Sequence, residues 1–183
     1  MHDPVIDPSR ETSSAKRQLH AVLVRVFDTG VLLIGESGIG KSECALDLVT
    51  RGHRLCADDA VEIFAKHDLL IGKAPSLTRH LLEIRGLGII NVAEIFGEQA
   101  VCDEWEVDMC VELRRSVEAT PLENAARSYE IVGVVIPKYV LPVSSGRNLA
   151  TLVETAVRLH RHEGSSKTAE LLIEEHTRLV QAN

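Results

Sequence analysis

Val31-Leu32-Leu33-Ile34-Gly35-Glu36-Ser37-Gly38-Ile39-Gly40-Lys41-Ser42-Glu43 is the stretch from which the rest of the chain can be read. Four apolar residues make a buried strand, a glycine-rich turn follows, and Lys41 opens a helix. Gly35, Gly40, Lys41 and Ser42 fill the fixed positions of the phosphate-binding pattern G-x-x-x-x-G-K-[ST]. Glycines let backbone N–H groups close around phosphate oxygens, and the helix N-terminus behind them adds partial positive charge. Gly35, Glu36, Ser37, Gly38, Ile39, Gly40, Lys41 and Ser42 are therefore the candidate ATP-binding residues, with Lys41 on the β- and γ-phosphates and Ser42 on Mg²⁺. A plain glycine turn would need none of the four fixed positions. The fold class that follows is α/β, built around a P-loop.

Upstream, a β-rich run from Leu19 to Val26 leads through Asp28-Thr29-Gly30, read as a tight hairpin turn, into the P-loop strand. His20 begins that run, and a single histidine there reads on its own as packing or surface. Downstream, Glu43 to Thr50 is a helix stopped by Gly52, and Arg54-Leu55-Cys56-Ala57 is a short strand that ends in Asp58-Asp59. An acidic pair one helix past the P-loop can lie beside the phosphates, where it could bind Mg²⁺ or accept a hydroxyl proton. A solvated turn or a helix cap is the competing reading. The strand-like alternation of Val61-Glu62-Ile63-Phe64 just after the pair argues against the cap.

Residues 60–75 read as a hairpin with a polar turn at Lys66-His67-Asp68. In Leu81-Leu82-Glu83-Ile84-Arg85-Gly86-Leu87-Gly88, Leu82 and Ile84 face the core while Glu83 and Arg85 share the other face. That arrangement suits either a mobile loop presenting two charges to phosphate or a surface ion pair of little worth. Val92 to Phe96 is a short helix ended by Gly97. Val101 and Trp105 to Leu113 read as further strands of an antiparallel sheet, and the run from Arg114 to Tyr129 as a loop with a helical turn. The pieces 131–136 and 138–143 are strands punctuated by prolines. Leu149, Leu152, Val153 and Ala156 make an amphipathic helix running to about His162, and a last helix opens near Ser166.

At 183 residues the chain has the length of one domain, and 45% hydrophobic with 26% charged residues is the balance of a globular protein. A formal charge of −7 argues against the basic surface expected of a nucleic-acid binder and leaves room for a local basic patch around phosphates. No apolar run reaches a membrane span, and the polar residues 1–18 read as a flexible leader lacking a secretory h-region. Cys44, Cys56, Cys102 and Cys110 lack zinc-site spacing and read as reduced, buried or inert thiols of a cytoplasmic protein.

The order GESGIGKSE, RGHRLCADDAVEI, LLEIRGLGIINV and GRNLA resembles the catalytic domain of the HPr kinase/phosphorylase family over most of residues 19–163. The resemblance implies a domain at 19–183 with a core similar to phosphoenolpyruvate carboxykinase, mixed or antiparallel sheets, a P-loop helix and C-terminal helices. It implies ATP- and Mg²⁺-dependent phosphorylation of a serine of the phosphocarrier HPr, phosphorolysis of the seryl phosphate in reverse, and assembly into homohexamers. Carried over, Lys41 and Ser42 keep their P-loop roles, Glu83 is a second metal ligand, and His20 becomes a catalytic histidine. Asp59, with Asp58 beside it, is the proton acceptor, and Arg85 lies in the loop used in both directions.

Three departures stand out. The family's Tyr-Asp-Arg-Leu-Gly stretch is missing, which leaves Arg114, Arg115 and Arg127 as stand-ins for its arginine. Ser144 and Ser145 replace a basic residue and a proline in a turn linked to dephosphorylation, so the sequence supports the kinase direction more strongly than the phosphorylase direction. Only a short leader stands where family members carry an N-terminal domain. A P-loop kinase of a small hydroxyl compound and a non-catalytic nucleotide sensor are the alternative readings. A sensor would have no use for a proton acceptor.

Overall fold

The strands follow from apolar residues recurring at every second position, or continuously where a strand is covered on both faces. A computed structural model describes residues 16–115, 127–144 and 146–163. The expected last helix, residues 1–15 of the expected leader and Ser145 lie outside the described residues. The elements run β1 (Lys16–His20), β2 (Val22–Val26), β3 (Thr29–Gly35), α1 (Lys41–Thr50), β4 (Arg54–Ala57), β5 (Ala60–Lys66) and β6 (Leu69–Lys73). After a 3₁₀ turn come β7 (Leu81–Ile84), β8 (Gly88–Asn91) and α2 (Val92–Phe96). A second 3₁₀ turn precedes β9 (Glu104–Glu106), β10 (Met109–Arg115), β11 (Arg127–Ile131), β12 (Val134–Val143) and α3 (Leu149–Glu163).

These make a mixed six-stranded sheet in the order β11-β12-β10-β3-β2-β4, an antiparallel sheet β1-β5-β6-β9 and the hairpin β7-β8. On the six-stranded sheet Val22, Val24, Val31 and Leu33 face one core with Leu48 of α1 and Val153 of α3. Leu23 and Leu32 face a second core with Val61, Ile63 and Leu70 of the smaller sheet. Burial on both faces is why Val22-Leu23-Val24 of β2 and Val31-Leu32-Leu33 of β3 are consecutive apolar residues. Among the described residues no helix is long and apolar enough to cross a membrane.

Several elements differ from the sequence reading. The run from Leu19 to Val26 is two strands in two sheets, separated at Ala21, whose N–H donates to the Asp59 carbonyl at 3.2 Å. Strand β10 is parallel to both β3 and β12, because the chain crosses over before returning to pair with β3. Apolar–polar alternation is the same for either direction of pairing. Residues Arg114 and Arg115 end β10, and Arg127 to Tyr129 belong to β11. Prolines 137 and 142 sit inside one continuous strand. Pro137 has a partner only on β11 and Pro142 only on β10, so each missing N–H can fall on an open side.

The turn before β3 is made by Phe27 and Asp28, at φ 49° and 67°, not by Gly30. Gly30 lies in β3 pressed against the Glu106 backbone, and a Cβ there would overlap the Glu106 carbonyl oxygen. Gly30→Ala is expected to cost at least about 2 kcal/mol, since an overpacked site can relieve the overlap only by moving backbone. Urea unfolding at constant slope would check it.

The cysteine reading needs correction for one pair. Cys56 and Cys102, 46 residues apart in sequence, form a disulfide. A parallel bridge Leu55↔Val101 and the Cys102 N–H donating to the Leu55 carbonyl at 2.8 Å bring them together. Cys44 and Cys110 are the buried inert thiols expected, pushed up to about 12 by burial. Cys102→Ser is expected to lower stability by about 2–4 kcal/mol under non-reducing conditions, with wild type matching the variant once a dithiol reductant is added. Paired thermal melts would read this.

Candidate active site

The P-loop joins β3 to α1, and its turn is set by Gly38 and Gly40 at φ 72° and 106°, a region that favours glycine. Ile39 points down into the core, so its contribution to a ligand can come only from its backbone. Lys41 is buried, and its Nζ donates to the carbonyls of Gly35 at 2.9 Å and Glu36 at 3.2 Å. The ammonium is thus folded onto its own loop, where it can be exchanged for phosphate oxygens. Burial lowers its pKa, and the charges of Asp59 and Asp58 pull it back up.

Strand β4 ends where the acidic pair begins, and the two aspartates differ in every physical respect. Asp58 is 3% exposed. Its Oδ1 accepts from the Ser42 hydroxyl at 2.9 Å and its Oδ2 from the Glu83 N–H at 3.0 Å. Burial raises its pKa, opposed by the hydrogen bonds from Glu83, Ser42 and the Asp59 backbone. Asp59 has a left-handed backbone, φ 64°, which turns its side chain to solvent at 68% exposure. Such a φ is easier for Asp than for most residues.

The β1–β5 pairing sets His20 opposite Ala60, next to Asp59. His20 Nδ1 lies 2.8 Å from Asp59 Oδ1 and 3.1 Å from the Asp59 carbonyl, while Nε2 lies 3.4 Å from Lys41 Nζ. With acceptors on one side and an ammonium on the other, the hydrogen-bond network assigns the proton to Nδ1.

Glu83 and Arg85 stand at the far wall on β7 and just past its end, in the β7–β8 hairpin, where the sequence left a mobile loop and a surface ion pair as alternatives. Leu82 and Ile84 are buried as the pattern required. Arg85 leans over the P-loop, its Nη2 2.8 Å from where a Gly38 Cβ would be. His20, Lys41, Ser42, Asp58, Asp59, Glu83 and Arg85 all line one open cavity of about 350 Å³, together with Ser37, Gly38 and Gly40. Gly35 and Glu36 contribute the carbonyls that hold Lys41. Glu43, one residue past the motif, also lines the cavity and was not singled out from the sequence.

Of the three candidate arginines, Arg114 is paired with Glu112 at 2.6 Å, and Arg115 donates to the Gly38 carbonyl at 3.4 Å. The side chain of Arg127 lies outside the described residues. Behind the site, Asn148 caps α3 by accepting from the Thr151 N–H at 2.8 Å and donates to Asp47 of α1 at 3.0 Å, while Glu154 meets Arg51 and His53 at 3.0 and 2.9 Å. These contacts fasten α3 to the P-loop helix.

Among the described residues no group of three or more His, Cys, Asp or Glu is close enough to hold a metal unaided. Ser42, Asp58 and Glu83 offer hard oxygen donors to the cavity. That fits Mg²⁺, which uses few protein ligands and completes its shell with water and phosphate oxygens.

Comparison with known proteins shows which family the chain resembles in sequence and fold. The family model described as the HPr serine kinase C-terminal domain matches residues 11–177. An HPr kinase/phosphorylase of Limosilactobacillus reuteri is 43% identical over 157 residues, covering 84% of this chain and 49% of the relative. One of Halalkalibacterium halodurans is 50% identical over 142 residues, covering 75% of this chain and 46% of the relative. The chain therefore spans about half the length of these curated relatives. The solved structure of the HPr(Ser) kinase/phosphatase from Coxiella burnetii superposes with a TM-score of 0.75 at 35% identity, covering 82% of this chain and 99% of that one.

Proposed function

The chain belongs to the HPr serine kinase C-terminal domain family, and on that premise we propose that it is an ATP- and Mg²⁺-dependent protein-serine kinase acting on an HPr-like phosphocarrier. The observation that carries the reading is the convergence of a P-loop lysine, a buried aspartate on the P-loop serine, and an exposed aspartate paired with a histidine around one open cavity. An open site suits an acceptor that arrives on the surface of another protein.

In this reading the acceptor serine enters beside Asp59. Its oxygen attacks the γ-phosphorus, Asp59 takes its proton, and the bond to the β-phosphate oxygen breaks to release ADP. His20 donates from Nδ1 to Asp59, which orients the carboxylate while leaving Nε2 towards Lys41. Lys41 moves from the Gly35 and Glu36 carbonyls to the phosphate oxygens and stabilises the charge gathering there. Mg²⁺, when bound, neutralises charge on the β- and γ-phosphates; Ser42 and Glu83, with Asp58 next to them, would hold it. In reverse, an oxygen of inorganic phosphate attacks the seryl phosphorus, the serine oxygen departs with the proton of Asp59, and HPr and pyrophosphate result.

The core around β3, the P-loop and α1 is proposed to be of the phosphoenolpyruvate carboxykinase kind, with residues 19–183 as the catalytic unit. It is proposed to work as a cytoplasmic homo-oligomer, a hexamer by family resemblance, without nucleic acid or membrane.

Incubation with γ-labelled ATP, Mg²⁺ and HPr from the same source should place label on an HPr serine. Label found only on small hydroxyl compounds, or saturable ATP binding with no transfer, would replace the proposal with one of the two alternatives. Unlabelled phosphate added to seryl-phosphorylated HPr should yield pyrophosphate if the reverse reaction is retained.

A further inference from the structure

A P-loop holds phosphate by turning successive N–H groups inward, and each inward N–H belongs to a planar peptide whose carbonyl must point the other way. The Gly38–Ile39 peptide shows this division. Its Ile39 N–H donates inside the loop to the Glu36 carbonyl at 3.3 Å, and its Gly38 carbonyl accepts on the outside from Arg115 Nη2 at 3.4 Å. The donor arrives from the neighbouring strand. β10 runs parallel to β3 with Leu113 opposite Gly35, so Arg115, two residues further, emerges at the edge of the sheet where the P-loop turns. Its neighbour Arg114 is engaged by Glu112 instead. On the other side of the loop, Arg85 occupies the space a Gly38 side chain would need.

We propose that Arg115 is a positioning residue of the phosphate-donor site, fixing the Gly38–Ile39 peptide so that the Ile39 N–H stays turned into the loop, ready to exchange the Glu36 carbonyl for a phosphate oxygen. The assignment rests on the reading of this loop as an ATP site. It separates Arg115 from Arg114, which spacing alone left equal, and it gives Arg115 a role exerted through the backbone without contact to the reacting atoms. With the peptide free to rotate, the loop would lose one inward donor for part of the time, and donor binding would suffer more than the chemical step.

The test compares wild type with Arg115→Ala, Arg115→Lys and Arg114→Ala for binding of a non-hydrolysable ATP analogue by calorimetry. The Ile39 amide is followed in ¹⁵N-correlated spectra. Arg115→Ala should weaken binding about tenfold, the scale of one hydrogen bond from a charged donor, and raise KM for ATP more than it lowers kcat. Arg115→Lys should recover part of the affinity, Arg114→Ala should match wild type, and the Ile39 amide should shift in Arg115→Ala and remain near its wild-type position in Arg114→Ala. Wild-type affinity in Arg115→Ala, or an equal loss in Arg114→Ala, would overturn the assignment while leaving the ATP site intact. Failure of wild type itself to bind the analogue would overturn the ATP reading and this inference with it. If Arg115→Ala unfolds, the Lys variant and its Ile39 amide decide the matter: wild-type binding and an unmoved amide would support a role for the cation at that position, and lost binding with an unmoved amide would reject peptide positioning.

Discussion

Asp59→Asn is expected to lower phosphoryl transfer to serine by roughly 10²- to 10⁴-fold, the usual worth of a positioned general base. Affinity for ATP should stay within about threefold, because Ser42 is held by Asp58 and the Gly35 and Glu36 carbonyls by Lys41. The substitution is also structurally quiet. The side chain is 68% exposed, its left-handed backbone suits Asn as well as Asp, and the Asp59 carbonyl keeps the Ala21 N–H. Quenched-flow transfer assays beside nucleotide titrations would separate the two effects. Near-wild-type turnover would move the proton acceptor to Asp58, which meets the P-loop serine. His20→Gln, which keeps a donor towards Asp59, should retain more activity than His20→Ala, which removes it.

The two aspartates show where sequence reading reaches its limit. That Asp58 and Asp59 belong beside the glycine-rich loop was legible, because a strand of four residues leading out of its helix leaves them few places to go. Their different environments were not. They depend on a backbone reversal at Asp59 and on a Glu83 amide 25 residues away, and neither has a local signature. Hairpins were legible where the turn residues are polar, as at His67–Asp68. The turn before β3 was misassigned because Gly30 looks like a turn residue while serving a close approach to Glu106. The parallel crossover of β10 and the Cys56–Cys102 bond were hidden for the same reason: both depend on which distant strands become neighbours. Choosing Arg115 over Arg114 likewise required knowing where β10 ends and which neighbouring side chain claims each guanidinium.

Lys41→Met is expected to reduce kcat/KM for ATP by about 10³-fold, of the order seen when a single preorganised transition-state partner is removed. Methionine keeps an unbranched stem of similar length in this buried position and removes only the ammonium. It abandons the carbonyls of Gly35 and Glu36, the two acceptors of the ammonium within the loop. Stability should move in the opposite direction from activity. Burial holds the lysine pKa below its ordinary value even against the nearby aspartates, so the folded state binds this proton less tightly than the unfolded chain does. The group's contribution to stability therefore falls as pH drops from above the unfolded pKa to below the folded one, and at neutral pH the buried charge is a net cost. Ligand-free Lys41→Met should accordingly melt no lower than wild type at pH 7, and the difference should narrow as pH rises towards 10.5. A Met variant that melts well below wild type at pH 7 would mean that the ammonium's bonds to the loop outweigh its desolvation. The empty P-loop would then be held in shape by Lys41 itself, and lost transfer could no longer be assigned to lost charge on the phosphate.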